Sequence, residues 1–185
     1  LVEIPVQIEP FSFHVLLGTS TEPLAIPNRK IQNPGKTFAA AAEKRRDSGD
    51  EFFRIEHFPL PPEAELMITG MDWLNERDLA LCTWLGEIYI VENAAGQPAN
   101  TKYHRFARGL NEPLGLSVVA NQILVVQKGE LTRVIDSDSD GIADRFECVS
   151  DDWGYSGNYH SYSFGPLSVE TNEFMLFITG QRGRS

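Results

Sequence analysis

Short apolar runs rich in β-branched and aromatic residues, set between Gly, Asn and Asp, predict an all-β fold from Ile55 onward. A repeat narrows this to an incomplete β-propeller of about two to three blades. The segment Gly70 to Val91 aligns with Gly115 to Val134 in strand, turn, strand, Gly-Glu turn and strand, at offsets of 45 and 43 residues. A weaker third copy opens at Phe164-Gly165-Pro166, about 50 residues after the second. A period in the forties with three or four strands per unit fits a propeller blade. Apolar residues on both faces of the middle strands fit sheets covered from both sides. A small sandwich or meander is the plain alternative.

Taken in order, Leu1 to Leu17 is apolar but broken by Pro5 and Pro10, which reads as strands left from a preceding unit. Pro23, Pro27 and Pro34-Gly35 mark turns, and the Ala-rich run Thr37 to Arg46 predicts a short helix stopped by Asp47-Ser-Gly-Asp50. The mixed charges of Glu43 to Glu51 read as a solvated face. Residues 1–57 are therefore expected to be a strand remnant and linker, and residues 58–185 the N-terminal blades of a truncated propeller. Strands are predicted at Leu66–Leu74, Asp78–Trp84, Glu87–Glu92, Tyr103–Ala107, Leu114–Val119, Gln122–Gln127, Leu131–Ile135, Tyr162–Val169 and Phe174–Thr179. Trp73 and Trp84 lie on such runs and are expected in the core.

Sixteen Lys and Arg against 26 Asp and Glu give a formal charge of −10, with no gathering of basic residues. A nucleic-acid partner is thereby disfavoured, since phosphate binding needs a basic footprint. No apolar run approaches the about 18 residues that a membrane-spanning helix requires. Cys82 and Cys148 match no metal spacing and leave two readings open, one internal disulfide or two free buried thiols.

The sharpest motif is Asp136-Ser-Asp138-Ser-Asp140-Gly141-Ile142-Ala-Asp144-Arg-Phe-Glu147. It meets the twelve-residue calcium-loop pattern at each ligand position. Carboxylates at 136, 138 and 140 converge only if the chain turns sharply at Gly141, the carbonyl of Ile142 adds an oxygen, Asp144 acts through water, and Glu147 closes the site with two oxygens. A strand, not a helix, is predicted before it, so the loop is EF-hand-like without the entering helix. Calcium there is expected to hold a connection rigid rather than to switch a helix pair. Extracellular modules with such sites bind at about 10⁻⁴ to 10⁻³ M, which points to export, periplasmic or extracellular. An acidic turn without metal is the bland alternative.

The run from Glu56 through Leu81 to Val91, Arg105 to Leu116 and Leu131 to Asp144 resembles the N-terminal blades of large exported propeller proteins of planctomycete type. These are distantly similar to glucose/sorbosone dehydrogenases. Gly109-Leu-Asn-Glu-Pro-Leu-Gly-Leu116 together with the calcium loop is the most specific part, and residues 1–55 take no part. The resemblance implies further blades in a parent protein, sometimes with cytochrome-type domains, and in the dehydrogenases a top-face site for pyrroloquinoline quinone (PQQ). There a His takes the proton from a sugar or alcohol hydroxyl while hydride passes to the quinone. His160, in Tyr159-His-Ser-Tyr-Ser-Phe-Gly165, is the one position that invites this role, although Ser161-Tyr162-Ser163 stands where the enzymes carry a Gly-rich turn.

His160 thus has a catalytic reading and a structural one. Trp153, Tyr155, Tyr159 and Tyr162 cluster in one loop after the acidic motif, where aromatics either stack on a sugar, as in a non-catalytic carbohydrate- or protein-binding propeller, or pack between blades. His14, His57 and His104 read as surface or loop residues.

Overall fold

The computed structural model describes residues 37–39, 48–49, 54–170 and 173–180. The fold is all-β, with antiparallel sheets and, among the described residues, a single 3₁₀ turn at Pro98–Asn100 as its helical content. Strands β1 (Thr37–Ala39), β2 (Ser48–Gly49) and β3 (Arg54–Ile55) come first, followed by β4 (Ile68–Trp73), β5 (Leu79–Thr83), β6 (Glu87–Glu92) and β7 (Lys102–Arg108). Then come β8 (Leu116–Val119), β9 (Gln122–Val126), β10 (Leu131–Ile135) and β11 (Arg145–Ser150), and last β12 (Ser163–Glu170) and β13 (Glu173–Ile178).

The first sheet has the order β1-β7-β6-β5-β4, the second β11-β10-β9-β8 and the third β12-β13, while β2 and β3 form a short ladder of their own. Chain neighbours pair antiparallel within each sheet, and the opening strands β4, β8 and β12 of successive sheets lie beside one another. All nine predicted strands are present, with no end shifted by more than two residues.

Alternation along the middle strands explains the stacking. Ala80, Cys82, Ile88 and Ala107 point from the first sheet toward Leu116, Ile123, Val125 and Val134 of the second, forming one buried cluster. The intervening residues Leu124, Val126 and Leu131 point the other way and meet Trp153, Phe174 and Leu176. The second sheet is thus covered on both faces. On the outer face of the first sheet, Leu81, Tyr89, Val91 and Tyr103 pack with Ala64 and Leu66 of the entering segment.

Glycine sets the spacing where opening strands meet. A Cβ on Gly70 would lie 2.7 Å from Gly115 Cα, and one on Gly115 would lie 1.7 Å from the carbonyl oxygen of Gly165. No side chain fits at either place. Polar rungs accompany this contact: Thr69 Oγ1 donates to Pro113 O (2.7 Å), Val118 N–H to Asp72 Oδ2 (2.8 Å) and Ser117 Oγ to Pro166 O (2.6 Å).

Three expectations require correction. Thr37–Ala39, placed in a helix by composition, are strand β1, paired with β7 through Thr37↔His104 and Ala39↔Lys102; the open edge of β7 supplies backbone partners that outweigh a weak local propensity. Strand β11 went unpredicted because Arg145–Glu147 read as the end of the acidic loop. Trp73 is 50% exposed on edge strand β4, whose outer face has no described sheet against it, whereas Trp84 meets Tyr162 edge-on at 5.8 Å. The expected strand remnant Leu1 to Leu17 and the proline turns lie outside the described residues. Both cysteines are free thiols, Cys82 buried in the core and Cys148 exposed on β11.

Candidate functional site

The acidic motif forms the connection from β10 to β11. Its first half is folded by its own carboxylates: Asp136 accepts from the N–H groups of Asp140 (3.2 Å) and Gly141 (2.8 Å), and Asp140 Oδ1 accepts from Ile142 N–H (2.8 Å). Ser139 (φ 62°) and Gly141 (φ 89°) occupy the left-handed region that this tight path requires. Asp136, Asp138 and Asp140 consequently present oxygens within 4.8 Å of one another, a set that can hold a metal ion. Three hard carboxylate oxygens at a partly exposed loop suit calcium or magnesium better than a soft metal.

Electrostatics register the crowding. The Asp138 carboxyl is pushed above its usual range, by desolvation first and then by repulsion from Asp140 and Asp144. Asp144 is held below its usual range, chiefly by the Ser137 hydroxyl. Its two oxygens accept from Ser137 N–H (2.9 Å) and Oγ–H (2.6 Å), so it braces the start of the loop. Glu147 stands apart from the three aspartates. It lies on β11 opposite Arg133, with one oxygen accepting from Arg133 (3.1 Å) and the other from Arg145.

His104, read from the sequence as a surface residue, ties this loop to the first sheet. Gly141 O can only accept, so His104 Nε2 carries the proton of their 2.5 Å contact, and Nδ1 faces Thr37 Oγ1 at 3.3 Å. Ala143 N–H also donates to Phe106 O on β7 (2.8 Å). The signal in the sequence was only alternation, which sets His104 and Phe106 on one face of β7. Between the loop and the β4–β5 turn runs a cleft of about 530 Å³ with an apolar floor including Ile90, Phe106 and Val134.

His160 lies at the opposite end of the strands, beside the hairpin turns β5–β6 and β9–β10. Its ring stacks on Tyr159 with centroids 3.8 Å apart, its N–H binds Asn158 Oδ1 and its carbonyl accepts from Thr179 Oγ1. Among the described residues no hydrogen bond orients its imidazole as a base would require. A quinone bearing three carboxylates needs cations around it. Lys128, whose carbonyl accepts from Trp153 in this loop, is buried and its ammonium is paired with Glu112 (3.1 Å). No catalytic step is derived from that cofactor.

The aromatic loop divides into two kinds of residue. Trp153 packs on the second sheet and donates Nε1–H to Lys128 O (3.3 Å), and Tyr162 sits between Trp84 and Phe164. Tyr155 and Tyr159 are 67% and 71% exposed.

Comparison with protein-family models, curated proteins and solved structures found no match to this chain. No helix among the described residues is long and apolar enough to cross a membrane.

Proposed function

We propose that the chain is a run of consecutive β-propeller blades, from an exported protein, in which a calcium ion at Asp136, Asp138 and Asp140 braces the outermost connection of one blade against the next. The convergence of those three carboxylates on a loop hydrogen-bonded to the neighbouring sheet carries this reading. The ordering of the sheets, each with its opening strand beside that of the last, supports the propeller. Ile142 O and Asp144 complete the shell, directly or through water. Glu147 joins it only by leaving two arginines, and its variant is therefore the milder one.

Calcium titration of the full chain by calorimetry tests this. One saturable site is expected in the about 10⁻⁴ to 10⁻³ M range of extracellular modules. Asp138→Asn should abolish the heat and Glu147→Gln should reduce affinity by less than about tenfold. Absence of heat from the unsubstituted chain removes the proposal.

A second reading, that the blades bind carbohydrate at the end of the strands opposite the calcium loop, is favoured by the exposure of Tyr155 and Tyr159. An oxidoreductase role through His160 rests on the resemblance alone. It requires aldose-dependent reduction of an artificial electron acceptor by the parent protein with added PQQ and calcium, unchanged activity in His160→Ala being the result that ends it.

A further inference from the structure

Tyr155 stands over the β9–β10 hairpin, and the place is prepared for it. A Cβ on Gly129 would lie 3.4 Å from Tyr155 Cδ2, so the bare glycine lets one side of the phenol ring rest on the hairpin while the rest of the side chain stays in solvent. Two residues earlier, the indole of Trp153 anchors the same loop by packing and by its hydrogen bond to Lys128 O. The exposed ring is therefore carried on a fixed base. Tyr159, equally exposed, is different: His160 already stacks on its ring.

Beside Tyr155 opens a groove of about 370 Å³, within the ordinary range for small-ligand sites. Its polar lining is Asn111, Gln127, Glu130 and Asp151, two amides and two carboxylates, with no Lys or Arg among the lining residues. The Gln127 amide is itself positioned. Gln127 accepts from the Asn111 N–H through Oε1 (2.5 Å) and donates through Nε2 to Glu130 (3.0 Å) and Thr132 (2.6 Å). An aromatic ring flanked by planar amide and carboxylate groups offers an apolar face to the C–H side of a pyranose and hydrogen-bond acceptors to its hydroxyls. Two carboxylates, with no Lys or Arg among the described lining residues, disfavour an acidic sugar or a phosphate.

From this we infer that the groove at Tyr155 is a binding site for a neutral or amino sugar, stacked on the phenol ring with its hydroxyls donating to Glu130 and Asp151. The inference rests on the carbohydrate reading above and assigns it a place and a ligand charge. Saturation-transfer NMR and calorimetry on the full chain, with methyl β-glucoside, N-acetylglucosamine and glucuronate as probes, test both. One of the first two sugars is expected to bind and glucuronate at least about tenfold more weakly. Tyr155→Ala should weaken binding by at least about tenfold, Tyr155→Trp should retain it, and Tyr159→Ala should leave it unchanged. Sugar binding that survives Tyr155→Ala, or is lost in Tyr159→Ala, overturns the site while leaving the carbohydrate reading in place, and equal binding of glucuronate overturns the ligand class. No binding of any probe by the unsubstituted chain ends both.

Discussion

The second and third sheets are built from similar residues and bury them to opposite degrees. In the second, Ile123, Leu124, Val125 and Val126 are all buried, alternate residues facing alternate neighbours. In the third, Leu176 and Phe174 pack on the second sheet, while Leu167 (62%), Met175 (60%) and Phe177 (69%) face outward. Strand composition sets which residues can be buried; the adjoining sheet decides whether they are. Apolar area removed from water contributes about 25 cal/mol per Å², so this difference in cover is a difference in stabilisation.

The contrast breaks most completely at Gly115. Gly115→Ala should cost about 3 kcal/mol or more by forcing the second and third sheets apart, read as a drop in the denaturant midpoint, because the added methyl collides with backbone rather than with a movable side chain. A smaller effect, on a matched pair, sharpens it. Val125→Ala should cost about 2 to 3 kcal/mol and Phe177→Ala less than about 0.5, although the second deletes more atoms; equal costs would contradict the account of burial.

Next comes a polar clamp that the second sheet does not share. Asp78 accepts from Asn93 N–H (2.9 Å), Asn75 and Arg77, fastening the β4–β5 turn, while the corresponding turn of the second sheet is just Ala120-Asn121, both at positive φ. Burial acts to raise the Asp78 carboxyl, but these hydrogen bonds together hold it below its usual value. A depressed folded-state value means stability that is fully present above the unfolded value, about 3.9, and lost as pH falls through the folded one. Asp78→Ala should therefore cost about 2 kcal/mol at neutral pH and flatten the acid limb of a stability-versus-pH curve.

A modest effect is expected of calcium. At 1 mM ion and a dissociation constant of about 10⁻⁴ to 10⁻³ M, binding to the folded state alone adds about 0.4 to 1.4 kcal/mol. Thermal melts with calcium and with chelator should show it, and Asp138→Asn should erase it.

Much of this architecture was legible in the residues. Alternation located the middle strands, and Gly70 and Gly115 marked the repeat because each stands where the adjoining backbone comes closest. Strand β1 was hidden by helix-forming alanines, since its pairing partner lies over 60 residues away at His104. Strand β11 was masked by a motif that extends into it, and the same overlap hid the arginines on either side of Glu147. Exposure was the least legible property. Trp73 and Trp84 look alike as letters, and only the sheet arrangement distinguishes the open edge from the covered hairpin. For the same reason the aromatic loop could not be divided in advance into the packed Trp153 and the exposed Tyr155.

The contact among Gly70, Gly115 and Gly165 also limits how a chain like this can change length. A one-residue slip in an opening strand would bring a side chain to a point with room for none, and would turn every alternating residue to the opposite face. Insertions and deletions are thus confined to the connections between outer and opening strands. The spacing of the three glycines, 45 residues and then 50, fits that rule, since the connection from β11 to β12, which is the aromatic loop, is longer than that from β7 to β8. Sequence drift would accumulate there first, leaving the register of the opening strands unchanged.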